Sequence, residues 1–552
     1  MSTHEASSRI LVDRSVLRLD GRPFFAFGPR VLLTPPERYR TVLADIVSAG
    51  FNIVATPPCS PGNLPLVESF FDAAEEAGLL VVLLADPRLP DHGRYLAERF
   101  RHRHGLHSYL LPARPADRQS LSGFLRERDA LRTRDLFHPI HMPLGREHLD
   151  ESWLQSQDLF SVSASVTERR LAGALPRIDP ARTFERVAAG SGSHARPRYC
   201  VDLPVIAREE ERALGLYSED PAVARHSPRP MDWYPHLANF ATMSRRDLLA
   251  PDPEALRLWT YGLLAAEVRG ILLDFHEGFC GQLPFTGRDR LAEAAILAAE
   301  IRAFEPFFSE GRPDYTTELD TGHPRLRGTI LRHGHEQLLL FHLGGYEDDF
   351  FIDEAHLERT EITVRPEDMD AEPHAWRMDF PHPCKLEVHR DQAGTLRFLA
   401  GPLELTGLVL LTPGTHRCQR ICDQLRELLP GVARHAANQL EVRFAKVLHT
   451  ESELRTMGAG VNNMERLRHM QKALEQSRTA LTEKDWGEAY RLARHGSRLG
   501  RQIVKYQMAR ALATPVFENN SLRALLRMSY FTLPRFYREG AFESARAFTE
   551  LT

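Results

Sequence analysis

The chain has 552 residues, more than the ~250 of one plain barrel domain, and this length predicts two or three domains. Its composition, 43% hydrophobic and 26% charged, is typical of a globular protein. A net charge of −4 leaves no basic excess, so we expect no nucleic-acid partner. The six cysteines are dispersed, the amino terminus has no apolar signal core and no run of about 18 apolar residues occurs, so we expect a cytoplasmic protein without a membrane segment.

The first predicted element is a β-hairpin at the amino terminus. Apolar and polar residues alternate in Ile10–Asp13 and Val16–Leu19, and Asp20 followed by Gly21 is a tight-turn pair. We expect this hairpin to cover one end of the domain that follows.

That domain is predicted to be a (β/α)₈ barrel. Eight short apolar runs occur in series, and most are followed by an amphipathic helical stretch, which is the pattern of a parallel sheet. In such a barrel the reacting groups lie at the carboxyl ends of the strands. The predicted strands are residues 24–28, 51–56, 79–85, 106–111, 137–142, 158–163, 199–203 and 270–275.

Helical periodicity fills the intervals between these runs. A glycine follows each of the first two helices, Gly50 and Gly78, as expected at a helix carboxyl end. The stretch 205–250 is irregular and rich in proline and aromatic residues, and long loops of this kind tend to carry function. The predicted helices are residues 36–48, 64–77, 117–133, 146–155, 179–189, 252–266 and 288–304.

Two further regions follow the barrel, which we assign to residues 1–312. Short alternating strands between 313 and 416, among them one at 386–389, predict an antiparallel β-sandwich, and Phe304, Phe307 and Phe308 should bury against it. Residues 417–552 predict a helical region with a hairpin at 464–483 and 485–511. We expect this region to dock on the body of the protein or on a second copy, so a homo-oligomer through these helices stays open.

Several segments resemble the barrel glycoside hydrolases of the clan that includes β-galactosidases and cellulases. The opening strand Leu-Asp-Gly-Arg-Pro-Phe-Phe-Ala-Phe-Gly at 19–28, the Gly-Phe-Asn strand at 50–54 and the helix and strand at 71–81 are similar to theirs. The segment 252–271 resembles their last helix and strand, with Glu267 and Val268 in place of the usual Gly-Ala. The resemblance covers about residues 9–310 and implies a sugar-facing barrel, in which a β-sandwich usually follows.

The chain departs from that clan at the catalytic positions. The resemblance implies an acid/base glutamate after the fourth strand, but the chain has no carboxylate there before Asp117. After the seventh strand, where a nucleophilic glutamate is usual, Asp202 is the only nearby acid. A retaining mechanism needs two carboxyl groups about 5–5.5 Å apart, so the usual pair cannot be transferred to this chain.

The end of the eighth strand supplies the alternative catalytic candidates. Asp274 and His276 should share one face of the strand, and Glu277 follows directly, so the three can meet at the barrel mouth. We assign Glu277 and Asp202 as acid/base and as nucleophile or base, with His276 and Asp274 in support. The alternative is that Asp274 and His276 bind backbone groups or arginines inside the barrel.

Five other residues are candidates for substrate binding. Asp86 ends the third strand, Arg30 follows the first and Arg114 follows the fourth, so all three belong to the same rim. Trp233 and Tyr234 lie in the long loop and can stack on a sugar ring. The structural alternatives are a turn at Asp86, ion pairs for the arginines and anchoring of the loop by the two aromatic residues.

Metal and cofactor sites are not expected. The histidines at 102, 104, 107, 138 and 141 lack spaced carboxylate or cysteine partners, and no phosphate-binding loop occurs. Cys418 and Cys422 have three residues between them, so they match neither a redox nor a zinc motif. Two functions remain: a barrel that binds or hydrolyses a carbohydrate, or an inactive barrel that serves as a carbohydrate-binding or protein-assembly module.

Overall fold

A computed structural model describes most of the three predicted regions. It places the hairpin, the eight strands, the sheets of the middle region and three long helices. The described residues are 10–13, 15–31, 36–56, 58–85, 92–111, 121–142, 158–163, 198–203, 252–275, 287–344, 357, 360–365, 373–414, 416–458 and 463–512.

The amino-terminal hairpin is confirmed. Strands β1 (Ile10–Asp13), β2 (Val16–Leu19) and β3 (Arg22–Pro23) form a small antiparallel sheet. Asp20 and Gly21 both have positive φ, 50° and 78°, as a two-residue hairpin turn requires. Ile10 and Leu17 are fully buried and join the apolar cluster inside the main sheet. The hairpin therefore covers the amino ends of the main strands.

Eight parallel strands follow, and all eight correspond to predicted ones. Inward side chains of β4, β5, β6, β7 and β11 form one apolar cluster with the hairpin. The strands are β4 (Ala26–Arg30), β5 (Ile53–Ala55), β6 (Leu80–Leu84), β7 (Leu106–Leu110), β8 (Ile140–His141), β9 (Phe160–Ser163), β10 (Arg198–Leu203) and β11 (Val268–Phe275).

The strand order is that of a TIM-barrel-like α/β sheet. Consecutive strands are neighbours, and the first, β4, pairs with both β5 and the last, β11. The edges of the sheet are β8 and β9. The Asp158 amide donates to the Ile140 carbonyl at 3.1 Å, and the Ile140 amide donates to the Asp158 carboxylate at 2.7 Å. These bonds join the two edges, and full closure of the barrel stays a prediction.

Helices lie between the strands, mostly as predicted. The helix at 92–100 was missed, because its surface residues are almost all charged or polar and only Leu96, Ala97 and Phe100 are buried apolar side chains. The helices predicted at 146–155 and 179–189 lie outside the described residues. After a 3₁₀ turn at Pro36–Arg38, the helices are α1 (Tyr39–Ser48), α2 (Leu64–Glu76), α3 (His92–Phe100), α4 (Leu121–Arg132), α5 (Pro253–Ala265), α6 (Arg288–Ala303) and α7 (Glu305–Glu310).

The middle region forms two antiparallel sheets. A six-stranded sheet has the order β12, β14, β15, β21, β17, β18, and a four-stranded sheet has the order β13, β16, β20, β19. A face-to-face sandwich of the two stays a prediction. The strands are β12 (Arg312–Pro313), β13 (Glu318–Asp320), β14 (Leu326–His333), β15 (Glu336–Leu343), β16 (Glu361–Arg365), β17 (His374–Arg377), β18 (Cys384–Leu386), β19 (Val388–Arg390), β20 (Leu396–Leu399) and β21 (Thr406–Thr412).

One strand prediction in this region was wrong. Residues 386–389 were expected to form one strand, but β18 pairs with β17 while β19 pairs with β20. The chain thus changes sheets at Glu387, which alternation of apolar residues cannot reveal. The predicted contact between the two regions is confirmed, because Phe304, Phe307 and Phe308 are buried and the His333 ring lies 5.8 Å from the Phe307 ring.

Up to residue 512, where the described part of the chain ends, the helical region contains α8 (His416–Thr456), α9 (Met464–Thr482) and α10 (Trp486–Leu512). The predicted hairpin of α9 and α10 is confirmed, with Leu467 and Met470 buried opposite Ala489 and Ala493. Among the described helices, none has both the length and the apolar character needed to cross a membrane. The aromatic segment predicted to pack at 531–537 lies outside the described residues, and the three domain boundaries stay predictions.

The helical region docks on the barrel-like domain, as predicted, and the contact combines apolar residues of one core cluster with buried charges. Helix α8 packs along α6, and the Lys446 ammonium lies 2.5 Å from the Asp289 carboxylate. The Arg443 guanidinium lies 2.6 Å from the carboxylate of Glu254 on α5. All four side chains are more than nine-tenths buried. Charged pairs therefore fix the position of α8 on the domain.

Candidate functional site

The strands that carry Asp202 and Asp274 are adjacent, and both are irregular near their carboxyl ends. Between β10 and β11 the register shifts after Cys200, so that the segment with Asp202 contains an extra residue. Between β11 and β4 it shifts between Leu273 and Phe275, at Asp274. Such bulges change the direction of side chains and are frequent next to active sites. The backbone thus brings these two positions together at the carboxyl-terminal ends of the strands.

Arg30 also lies at the carboxyl-terminal end of its strand, the neighbouring β4. It pairs with Phe275 on one side and with Ala55 on the other. Ala26 and Ala55 face the inner apolar cluster, and by strand alternation Arg30 faces the same side as Ala26. Its side chain is partly buried. A cation therefore lies on the inner side of β4, in register with the end of β11.

The structure describes the backbone, and not the side chains, of Asp202 and Asp274. The predicted residues outside the described part of the chain are His276, Glu277, Trp233, Tyr234, Asp86 and Arg114.

The end of the fourth parallel strand, β7, is apolar. Leu110 and Leu111 are both buried, and Leu110 belongs to the inner cluster. No carboxylate is found among the described residues at this position, where the resemblance would place an acid/base glutamate. Within the described residues, the end of β7 therefore supplies no acid or base.

A chain of buried polar side chains crosses the inside of the sheet from β7 to β9. The Ser108 hydroxyl lies 3.1 Å from Nε2 of His141, and Nδ1 of His141 lies 2.5 Å from the Ser161 hydroxyl. His107 also contacts Ser108, at 2.8 Å. Burial lowers the pKa of His107 and of His141 to about 3, so both imidazoles are neutral at ordinary pH. Sequence reasoning missed this row of polar side chains because its members are far apart in the sequence.

His138, three residues before His141, has a different role. Its Nδ1 lies 2.7 Å from the Asp135 carboxylate, which also accepts a hydrogen bond from the Tyr109 hydroxyl at 2.8 Å. Burial favours the protonated acid, but the hydrogen bonds and charge of His138 outweigh it, and the pKa of Asp135 is about 2. This cluster precedes β8 and is structural. Among the described residues, no three histidine, cysteine or carboxylate side chains form a metal-binding group.

Asp252 is a carboxyl group that sequence reasoning did not single out. It precedes α5, and a helix between two parallel strands begins at the carboxyl-terminal edge of the sheet. Burial raises the pKa of Asp252 to about 7, and the charge of Glu254 adds to this, against the opposing effect of Arg443 and Lys446. A raised pKa is what a general acid needs. Its burial and its charged neighbours Arg443, Lys446 and Asp289 come from elements distant in sequence, so only the fold reveals the shift.

A groove of about 440 Å³ lies at the opposite end of the sheet. Its lining includes Leu19 and Phe24 of the hairpin, Asn52 before β5, and Glu75 of α2. The Asn52 amide is engaged, because it bonds to the backbone of Phe25 and Phe27 at 2.8 Å each. The asparagine of the Gly-Phe-Asn strand is therefore a structural residue here, remote from the carboxyl-terminal edge.

The sequence matches no protein-family model and no curated protein. Among solved structures, a glycoside hydrolase family 30 subfamily 8 xylanase from Clostridium acetobutylicum is similar with a TM-score of 0.36 and 9% identity, over 73% of this chain and 98% of that chain. A cyclic α-maltosyl-(1→6)-maltose hydrolase from Arthrobacter globiformis has a TM-score of 0.35 and 12% identity, over 70% of this chain and 92% of that chain. The type III pullulan hydrolase from Thermococcus kodakarensis has a TM-score of 0.37 and 12% identity, over 71% of this chain and 75% of that chain. TM-scores this low carry no weight for a shared family or activity.

Proposed function

We propose that the protein binds a carbohydrate at the carboxyl-terminal edge of its eight-stranded sheet and hydrolyses it as a glycoside hydrolase. The observation that carries the proposal is the pair of register shifts at Asp202 and Asp274, on adjacent strands beside Arg30. Three neighbouring strands thus bring two acidic positions and one cation to the edge where barrel enzymes keep their reacting groups.

The proposed roles follow from the chemistry of glycoside hydrolysis. Glu277 and Asp202 act as acid/base and as nucleophile or base, and their separation decides between a retaining and an inverting outcome. Asp274 and His276 orient these two groups. Arg30, Asp86 and Arg114 form the proposed polar contacts to the substrate. Trp233 and Tyr234 stack on a sugar ring.

The proposal includes a closed barrel with β8 beside β9. The two hydrogen bonds between Asp158 and Ile140 support it, and so does the contact of His141 with Ser161. A closed barrel excludes water from beneath the site and holds the strand ends at fixed distances. We also propose that the two antiparallel sheets of the middle region pack face to face as a sandwich.

A glycan-array and chromogenic-glycoside screen of the full-length protein tests the proposal. We expect at least one glycan to bind and to be hydrolysed. Glu277→Gln should then lower turnover by at least ~10²-fold, the usual loss for a general acid–base group, with an unchanged melting temperature. If Glu277→Gln lowers the melting temperature and leaves binding and turnover intact, the residue is a structural partner and the site is elsewhere.

A second candidate is a barrel that binds a carbohydrate, or assembles with other proteins, without catalysis. The buried apolar end of β7, with Leu110 and Leu111 where an acid/base residue is usual, favours it. The same screen separates the two candidates. An inactive module would bind a glycan without turnover, and Glu277→Gln would weaken binding by about the 0.5–3 kcal/mol of one hydrogen bond.

A further inference from the structure

Two cysteines lie one turn apart at the start of helix α8. Both thiols are free, and the Sγ atoms of Cys418 and Cys422 are 3.8 Å apart. Cys418 is buried, whereas Cys422 is partly exposed. The pair therefore combines one sulfur that solutes can reach with one that they cannot.

The surroundings of Cys418 favour its protonated form. Burial raises the pKa of Cys418 to about 12, and the charge of Cys422, its hydrogen bond and the charge of Glu336 add to this. When Cys422 is a thiolate, Cys418 can donate its S–H to that sulfur. A dithiol exchange site needs one accessible sulfur that attacks and one buried sulfur that resolves the mixed disulfide, and Cys422 and Cys418 meet these two requirements.

We propose that Cys418 and Cys422 form a reversible thiol–disulfide exchange site for low-molecular-weight disulfides. The Cys422 thiolate attacks one sulfur of the disulfide, a mixed disulfide forms and the first thiolate leaves. Cys418 then loses its proton to water, attacks the Cys422 sulfur and releases the second thiolate. Two protein thiols are oxidised to one disulfide, and the external disulfide is reduced to two thiols.

Loss of the Cys422 charge in the mixed disulfide makes the second step possible. The charge of Cys422 and its hydrogen bond are among the causes that hold the proton on Cys418, so capping of Cys422 removes them. Resolution should therefore speed up with rising pH, because it needs the Cys418 thiolate.

The helix is not compatible with the closed disulfide. Residues four apart on a helix have Cβ atoms about 5–6 Å apart, whereas a disulfide holds them at about 3.5–4.5 Å. Closure must therefore distort the first turns of α8. A distorted disulfide is easily reduced, which suits a responsive bond rather than a permanent one.

Arg417 transmits this distortion to the rest of the protein. Its guanidinium lies 2.6 Å from the Glu336 carboxylate and 2.5 Å from Nδ1 of His333, and 5.9 Å from the centre of the Phe307 ring. These partners belong to the six-stranded sheet and to α7. Oxidation should thus loosen the contact at which the helical region, the sheet and the end of the barrel-like domain meet.

The test treats the full-length protein with oxidised glutathione and maps its cysteines by mass spectrometry. We expect a Cys418–Cys422 disulfide that reduced glutathione reverses. Cys418→Ser should accumulate the glutathione adduct on Cys422, and Cys422→Ser should leave Cys418 unmodified. Cys384, which is free and exposed, is the matched control and should form only an adduct.

Hydrogen exchange of residues 416–422 gives a second measurement. We expect faster exchange in the oxidised protein than in the reduced one, and no such change on oxidation of Cys422→Ser. The proposal is wrong if Cys418 and Cys422 stay reduced where Cys384 reacts completely, or if Cys422 keeps a glutathione adduct that Cys418 never resolves at any pH. Neither result depends on the carbohydrate site.

Discussion

The inside of the parallel sheet and the junction with the helical region are both buried, but they are built differently. The inside of the sheet is mainly apolar from β4 to β7 and at β11, with residues such as Ile53, Val82 and Leu272. Its polar groups include the neutral side chains near β8 and β9 and Arg30 at the strand ends. The junction contains paired charges, including Asp289 with Lys446, among apolar residues of α6 and α8 that belong to one core cluster. Apolar burial tolerates many arrangements, whereas a buried charge is acceptable only beside its partner. The first region therefore provides cohesion, and the second specifies one docking position.

Lys446→Met is the strongest test of this difference. The substitution keeps most of the volume but leaves the buried Asp289 carboxylate without its ion-pair partner. Breaking a buried pair in this way costs about 3–5 kcal/mol, so we expect a loss of this size in the free energy of unfolding. Chemical denaturation of the full-length protein measures it.

Two controls sharpen the result. The double variant Lys446→Met with Asp289→Asn should recover most of the loss, because neither charge then remains buried alone. Arg478 forms a half-exposed pair with Glu441 at 2.9 Å, so Arg478→Met should cost less than about 1 kcal/mol. Equal losses for Lys446→Met and Arg478→Met would show that the junction charges have no special role.

Phe307→Ala tests the apolar contact between the barrel-like domain and the six-stranded sheet. Phe307 is fully buried against His333, so its truncation should cost about 3–5 kcal/mol of unfolding free energy. Tyr315 is 83% exposed, and Tyr315→Ala should change stability by no more than about 0.5 kcal/mol. A small loss for Phe307→Ala would mean that the two regions do not share a core. Denaturation curves of the two variants decide this.

The buried imidazoles predict a smaller, pH-dependent effect. The pKa of His141 is about 3 in the folded protein, below its ordinary value in the unfolded chain. Above the unfolded pKa of about 6.5 its contribution to stability is complete, and as the pH falls the unfolded state takes up a proton that the folded state does not. Stability should therefore fall by about 1.4 kcal/mol per pH unit for this residue.

The measurement is the free energy of unfolding between pH 7 and pH 4 for wild type and His141→Asn. The slope of the unfolding free energy against pH should be smaller for the variant by the contribution of one proton, about 1.4 kcal/mol per pH unit. An unchanged slope for His141→Asn would mean that His141 is protonated in the folded protein.

The comparison also explains what the sequence could predict. The eight strands were found because buried parallel strands are short continuous apolar runs, and the hairpin was found through its alternation and the Asp20-Gly21 turn. The junction could not be found, because the partners Arg443 and Glu254 are 189 residues apart and charges look alike whether exposed or buried. The polar chain through Ser108 and His141 escaped for the same reason.

The candidate site was predicted only in part. Periodicity located the ends of β10 and β11, and with them Asp202 and Asp274. The register shifts at these two residues depend on how neighbouring strands pair, which no local pattern encodes. The raised pKa of Asp252 depends on burial and on charges from α6 and α8, so it also required the fold.

The most direct test of the carbohydrate site compares the two ends of the sheet with one glycan found in the screen. Asp202→Asn changes the carboxyl-terminal edge, and Glu75→Gln changes the groove of about 440 Å³ at the amino-terminal end. We predict that Asp202→Asn lowers turnover of that glycan by at least ~10²-fold, while Glu75→Gln leaves turnover and affinity unchanged. If Glu75→Gln abolishes binding and Asp202→Asn has no effect, the carbohydrate site lies at the other end of the sheet.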